Sequence, residues 1–248
     1  MEKLYLARTL LLLCVFCNIV QGSKRRYDHH KVLRVETPNE KALEYISTPN
    51  HLFDVWGIGY YSDIMVSPVN LEVVATALKL FGLNFSITVE NIQTLIDLES
   101  ATSNETKARN TNAKHPMTWT EYHSQDDMEK YMDYLAQTNP DLVTIEDIGA
   151  SYEGRRMRVL KICKKNACGN KPAMWIDGGI HAREWISPAV ATFLMKELIE
   201  NKSRYNPDIL DKLDWYILPV HNPDGYFYSR TVERCWRKNR YYRIDVLL

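Results

Sequence analysis

Apolar positions in the first hundred residues switch between a period of two and the spacing of a helix. Lys31 to Glu36 alternates as a strand, and Asn39 to Ser47 reads as a helix begun after Pro38. Phe53 to Trp56 and Asp63 to Ser67 are two further strands. From Val69 to Phe81 the apolar residues Val73, Val74, Ala77, Leu78 and Phe81 keep helical spacing, Gly82 ends the run, and Asn84 to Val89 alternates again. Strand, helix, strand, strand, helix, strand is the order of a ferredoxin-like α+β unit of about 70 residues.

From Ala101 to Pro116 the composition turns to Ser, Thr, Asn and Lys, with almost no large apolar residue, and residues 101–116 read as a linker. Its basic residues Lys107, Arg109 and Lys114 are candidates for a trypsin-like cut. Beyond it, Ser124 to Asp127 forms a capping box, and Met128, Tyr131, Met132 and Leu135 recur at i, i+3, i+4 and i+7, one face of a core helix. Strands follow at Leu142 to Ile148, Arg156 to Cys163 and Ala173 to Gly178, then a helix from Ile186 to Glu200 and a strand from Leu213 to Val220. This alternation predicts a mixed, largely parallel α/β sheet with helices on both faces.

The chain has 248 residues and a formal charge of zero, so no cationic excess points to nucleic acid. Lys3 and Arg8 precede an apolar run from Leu10 to Val20, and Val20-Gln21-Gly22 offers a cleavage site before Ser23, so residues 1–22 read as a secretory signal. That run falls short of the roughly 20 apolar residues a bilayer span needs, and no other stretch is longer; a secreted, extracellular chain without a membrane anchor is expected. Removing the leader takes away Cys14 and Cys17 and leaves Cys163, Cys168 and Cys235. Cys163 and Cys168 flank a polar turn and are expected to pair in an oxidising compartment, with Cys235 left over. Sequons for N-glycosylation start at Asn84, Asn104 and Asn201.

The chemistry concentrates in Trp175 to Trp185, where a strand-like run ends in Gly178 and Gly179 and then presents His181 and Glu184. Imidazole and carboxylate are both zinc ligands, and catalytic zinc is held by sets such as two histidines and one carboxylate with a position open for water. The two glycines permit a sharp turn, so the pair would sit in the crevice beyond a strand's carboxyl end.

The segment Gly179-Ile180-His181-Ala182-Arg183-Glu184-Trp185 closely resembles the zinc-ligand segment of the secreted metallocarboxypeptidases of the pancreatic carboxypeptidase A and B type. Asn222-Pro223-Asp224-Gly225-Tyr226, followed by Arg234-Cys235-Trp236-Arg237-Lys238-Asn239-Arg240, resembles the same family's next landmark, and Met117 to His123 the start of its mature enzymes. The resemblance implies Zn2+ held by His181 and Glu184, Arg237 as the catalytic cation on the scissile carbonyl, and Arg183 and Arg234 as substrate contacts. It implies peptide or protein C-termini as substrates and an activating trypsin-like protease as partner. It divides the chain into a signal peptide (1–22), an activation domain (23–100), a cleavable linker (101–116) and part of a zinc carboxypeptidase domain (117–248).

The family's third zinc ligand, its Asn-Arg grip on the substrate carboxylate, its capping tyrosine and its general base have no counterpart up to Leu248. His221 is the nearby substitute for the third ligand, although its family position is not a ligand position. An incomplete or isoform chain with weak zinc binding and no turnover is therefore expected. The alternative is a non-catalytic secreted isoform whose activation segment binds or inhibits a full-length relative.

Overall fold

The computed structural model describes residues 23–37, 39–48, 51–109, 114–164, 168–201 and 209–241, with residues 101–109 described by their backbone. The expected leader over residues 1–22, part of the expected linker (110–113) and the last seven residues lie outside this range. No described helix is long and apolar enough to cross a membrane. The chain divides into two compact units: Arg26–His123, and a second that runs on from Ser124 and takes in Arg25.

In the first unit β1 (Lys31–Glu36), α1 (Glu40–Ser47), β2 (Phe53–Gly57), β3 (Tyr61–Val66), α2 (Leu71–Leu80), β4 (Phe85–Val89) and α3 (Ile92–Arg109) follow one another. The strand and helix order read from the pattern is present. The strands lie in the order β2-β3-β1-β4, all paired antiparallel. One face of β1 and β3 puts Leu33, Val35, Ile64 and Val66 against Ile46 of α1 and Val74 and Leu78 of α2, all shut off from solvent. Each such side chain contributes about 1.5–3 kcal/mol on burial. Asn39 starts α1 by accepting the N–H of Ala42 at 3.0 Å, a side-chain cap for a donor with no partner inside the helix.

The family resemblance also implies a helix leading on from the activation segment and beginning within Asn91 to Ser100, and α3 starts there. The helix runs on to Arg109, so the first part of the stretch read as a linker is helical. No Pro or Gly stands between Ala101 and Arg109, and a helix already nucleated from Ile92 meets no breaker there.

The second unit contains α4 (Gln125–Thr138), β5 (Val143–Ala150), β6 (Arg156–Ile162), β7 (Ala173–Asp177), α5 (Ile186–Ile199), α6 (Ile209–Lys212), β8 (Asp214–Leu218) and α7 (Pro223–Thr231). The capping box is formed: the Ser124 hydroxyl takes the Asp127 N–H while the Asp127 carboxylate takes the Ser124 N–H. Met128, Tyr131, Met132 and Leu135 are buried, as their spacing predicts.

The sheet is mixed and ordered β5-β6-β8-β7. Only β7–β8 is parallel among the described pairings, fewer than the expected largely parallel sheet would have; β5–β6 and β6–β8 are antiparallel. Connection length accounts for two of these pairings: a short turn at Ser151–Arg155 makes β5 and β6 a hairpin, whereas β7 reaches β8 through α5 and α6. The Cys163–Cys168 disulfide is formed just past β6, with Cα atoms 5.3 Å apart.

Candidate functional site

β7 and β8 run side by side and end together at Asp177 and Leu218. The ladder is prolonged past those ends, Gly178 donating to the Leu218 carbonyl at 2.9 Å and His221 to the Gly178 carbonyl at 2.7 Å. A Cβ on Gly178 would lie 2.8 Å from the Ser187 carbonyl oxygen and 2.9 Å from that of Pro219, and Gly179 adopts a φ of 67°. Residue 178 therefore admits no side chain, and residue 179 needs the left-handed conformation that glycine supplies at least cost.

From that turn the chain presents His181 and Glu184. His181 Nδ1 lies 3.0 and 3.1 Å from the two carboxylate oxygens of Glu184. Arg237 Nη2 approaches the same nitrogen at 3.2 Å. One imidazole nitrogen cannot donate to a carboxylate and accept from a guanidinium at the same time. A cation shared by the Nδ1 lone pair and the carboxylate would satisfy both groups, so this pair fits as two of a zinc ion's protein ligands. Among the described residues no group of three His, Cys, Asp or Glu is placed to hold a metal. His221 stands 3.9 Å from Asp177.

Three segments are stitched together around this pair. The Ala182 N–H donates to the Arg237 carbonyl at 3.0 Å. The Asn222 amide donates to the carbonyls of Ile180 and Lys238 at 3.3 and 3.1 Å, while its oxygen caps α7 by accepting from Gly225 N–H at 3.0 Å. A Cβ on Gly225 would come within 2.6 Å of the Lys238 carbonyl oxygen, so α7 begins hard against the segment that carries Arg237. Ser229 of α7 donates to the Ala182 carbonyl at 2.9 Å and accepts from the Trp185 indole at 2.8 Å.

Arg183 and Arg234 belong to the same stitching. Arg234 donates to the Arg183 carbonyl at 2.9 Å and lies 3.6 Å over the Trp185 ring, and Arg183 donates to the Cys235 carbonyl at 3.4 Å. Each thus bonds the backbone of the other's segment.

Two features escape the sequence pattern. The first is α7, because Asn-Pro-Asp-Gly reads equally as a turn; Asn at the N-cap with Pro at the first helical position is the signal that marks it. The second is Asp224. It is buried, and its carboxylate accepts from the Ser151 hydroxyl at 2.6 Å, the Glu153 N–H at 2.9 Å and the Arg155 guanidinium at 2.7 Å. Burial pushes its pKa up, but the bonds from Ser151, Glu153 and Arg155 outweigh this and hold it below the usual carboxylate range. The β5–β6 turn is thereby fixed to the start of α7.

Between the turn and the stitched segments lies a cavity of about 480 Å³, lined among others by Tyr152, His181, His221, Arg237, Lys238 and Arg240. The Arg240 guanidinium lies against the rings of Tyr228 and Trp236, 3.8 and 5.0 Å from their centroids, and pairs with Glu153 at 3.3 Å. Arg237 and Lys238 in the cavity lining favour an anionic or strongly dipolar guest.

Residues 128–244 match the family model described as zinc carboxypeptidase, and residues 33–99 that of the carboxypeptidase activation peptide. The chain is 34% identical over 246 residues to carboxypeptidase A1 of Bos taurus, covering 93% of this chain and 57% of that protein. It is 48% identical over 124 residues to carboxypeptidase B of Astacus astacus, covering 50% of this chain and 40% of that protein. Among solved structures, carboxypeptidase A from Helicoverpa armigera superposes with a TM-score of 0.78 at 28% identity, over 87% of this chain and 54% of that one. The chain spans about half the length of the curated relatives it matches. The activation-peptide match falls on the first unit and the peptidase match on the second, and the chain belongs to the zinc carboxypeptidase family.

Proposed function

We propose that this chain belongs to a secreted zinc-dependent carboxypeptidase proenzyme, a protein that removes the C-terminal residue of peptides once residues 101–116 are cut. The observation that carries the reading is the convergence of His181, Glu184 and Arg237, of which His181 and Arg237 line one cavity. His181 and Glu184 would hold zinc. Bound there, zinc supplies a Lewis acid for the scissile carbonyl and lowers the pKa of its water.

Arg237 is always charged and stands beside the ligand pair, where it stabilises negative charge developing on the carbonyl oxygen. Arg183 and Arg234 are assigned to contacts with the substrate chain, their positions set by the bonds each makes to the other's segment. Lys238 adds positive potential that draws a peptide carboxylate toward the cavity. An activating trypsin-like protease and peptide C-termini are the partners this reading requires.

The test is to purify the chain, cleave it with trypsin, and measure bound zinc and release of C-terminal residues from peptides. Zinc uptake is expected to fall in His181→Ala and in Glu184→Ala by more than the roughly 10–100-fold that loss of a residue supporting a ligand costs. Zinc uptake indifferent to both substitutions, or turnover that survives them, overturns the reading. Inhibition of a complete relative by this chain, with no turnover of its own, replaces it with a non-catalytic role.

A further inference from the structure

The sequon at Asn84 is left unused by everything above. Asn84 precedes β4 and already belongs to its ladder, since its carbonyl accepts the Glu36 N–H at 2.9 Å. In an extended segment residues i and i+2 point to the same side. Asn84 and Ser86 are both exposed, while Phe85 between them packs against the core with Leu33 and Val35. The acceptor amide and the hydroxyl of the sequon thus share the solvent face, and the apolar residue between them is used by the fold.

The other two sequons are placed differently. Asn104 lies in the helical backbone of α3, where positions i and i+2 are about 200° apart around the axis. Asn201 is half-buried, its amide 2.7 Å from a carboxylate oxygen of Glu197, which is itself buried.

We propose that Asn84 carries an N-linked oligosaccharide. In the transfer, Asn84 Nδ2 bonds to the anomeric carbon of an oligosaccharide donated by a lipid-linked diphosphate sugar. The anomeric C–O bond to the diphosphate breaks, the lipid diphosphate departs, and one amide proton is lost. The amide keeps its second N–H, so its bond to the Glu36 carboxylate, 3.1 Å long, survives the modification. The surroundings give the glycan work to do. Leu80 and Phe81, four and three residues before Asn84, are 84% and 62% exposed, and β4 is the end strand of its sheet. Exposed apolar surface beside an end strand is a route to association between chains, and a bulky solubilising group next to it blocks that route.

The proposal requires passage through the secretory lumen, which the test reads by itself. The full chain is translated with microsomes, treated with protease to isolate imported protein, and digested with an endoglycosidase. Expected is an endoglycosidase-sensitive mobility step that is lost in Asn84→Gln and in Ser86→Ala and kept in Ser86→Thr, Asn104→Gln and Asn201→Gln. Ser86→Ala leaves Asn84 and its bond to Glu36 in place, so its result separates lost glycosylation from a disturbed fold. Imported protein without the step, a step that survives Asn84→Gln, or failure of import overturns the proposal.

Discussion

The Ala182 N–H donates to the carbonyl of Arg237 at 3.0 Å, tying the residue after His181 to the backbone of the arginine that approaches its imidazole. The bond fixes where the turn after β7 meets the segment after α7, and the spacing of His181 and Arg237 follows from it. Asn222 supports the same junction from beneath, with three hydrogen bonds to three segments.

Replacing Asn222 by Ala removes an N-cap and one donor from each of the Ile180 and Lys238 carbonyls, the latter still accepting from the Trp236 indole. A loss of about 1–3 kcal/mol is expected from those terms. Urea denaturation measures it. The same variant should exchange the Ala182 amide proton faster, because the junction loses its brace; unchanged exchange with unchanged stability would show that Asn222 sets nothing.

Asp224 gives the second unit an acid-sensitive tie. Its folded pKa is lowered, so the stability it contributes is present above the unfolded value of about 3.9 and is lost as pH falls through the lower folded value. Asp224→Asn, which weakens bonds to a charged acceptor worth roughly 1.5–3 kcal/mol each, should be less stable than the parent at pH 7. The gap should close on acidification below about pH 4. Denaturation curves of both proteins across that range decide it, and a gap independent of pH would refute the assignment.

The disulfide between Cys163 and Cys168 closes a short loop, so its effect on the unfolded chain is modest. The double Cys163→Ser, Cys168→Ser protein is expected to lose about 2 kcal/mol. Mass spectrometry of a non-reduced digest should recover the two cysteines in one linked peptide.

Trypsin should cut first after Arg109 or Lys114 and later after Lys107. Lys107 lies inside the last turn of α3, where the backbone must unwind before a protease can take it, whereas Arg109 ends the helix and Lys114 is exposed beyond it. N-terminal sequencing of the earliest fragments reads the order. A first cut within Leu71 to Leu98 would break the division into two units.

What the residue pattern discloses is what short-range periodicity controls. Tyr131, Met132 and Leu135 lie on one stripe and are buried, and Ser124 with Asp127 makes a complete cap, both set by neighbours a turn away. The donor pair is legible for the same reason, since His181 and Glu184 are three residues apart on one turn. The start of α7 is less so: Asn222-Pro223-Asp224-Gly225 suits a turn or a helix cap, and the Lys238 carbonyl packed against Gly225 lies 13 positions further along. The far end of α3 shows the opposite failure, where polar composition suggests a loop although no residue there breaks a helix.

The bonds that bring Arg237 to His181 span 56 positions of chain, while the turn joining β5 to β6 closes over a handful. Closing a long loop costs more entropy, and contacts distant in sequence form after local ones. The hairpin and α4 can therefore take shape while His181 and Glu184 still lack their arginine. A chain caught partway through folding would hold His181 and Glu184 exposed beside an unfinished cavity, so a cation encountered early would meet the two proposed ligands before Arg237 stands beside them.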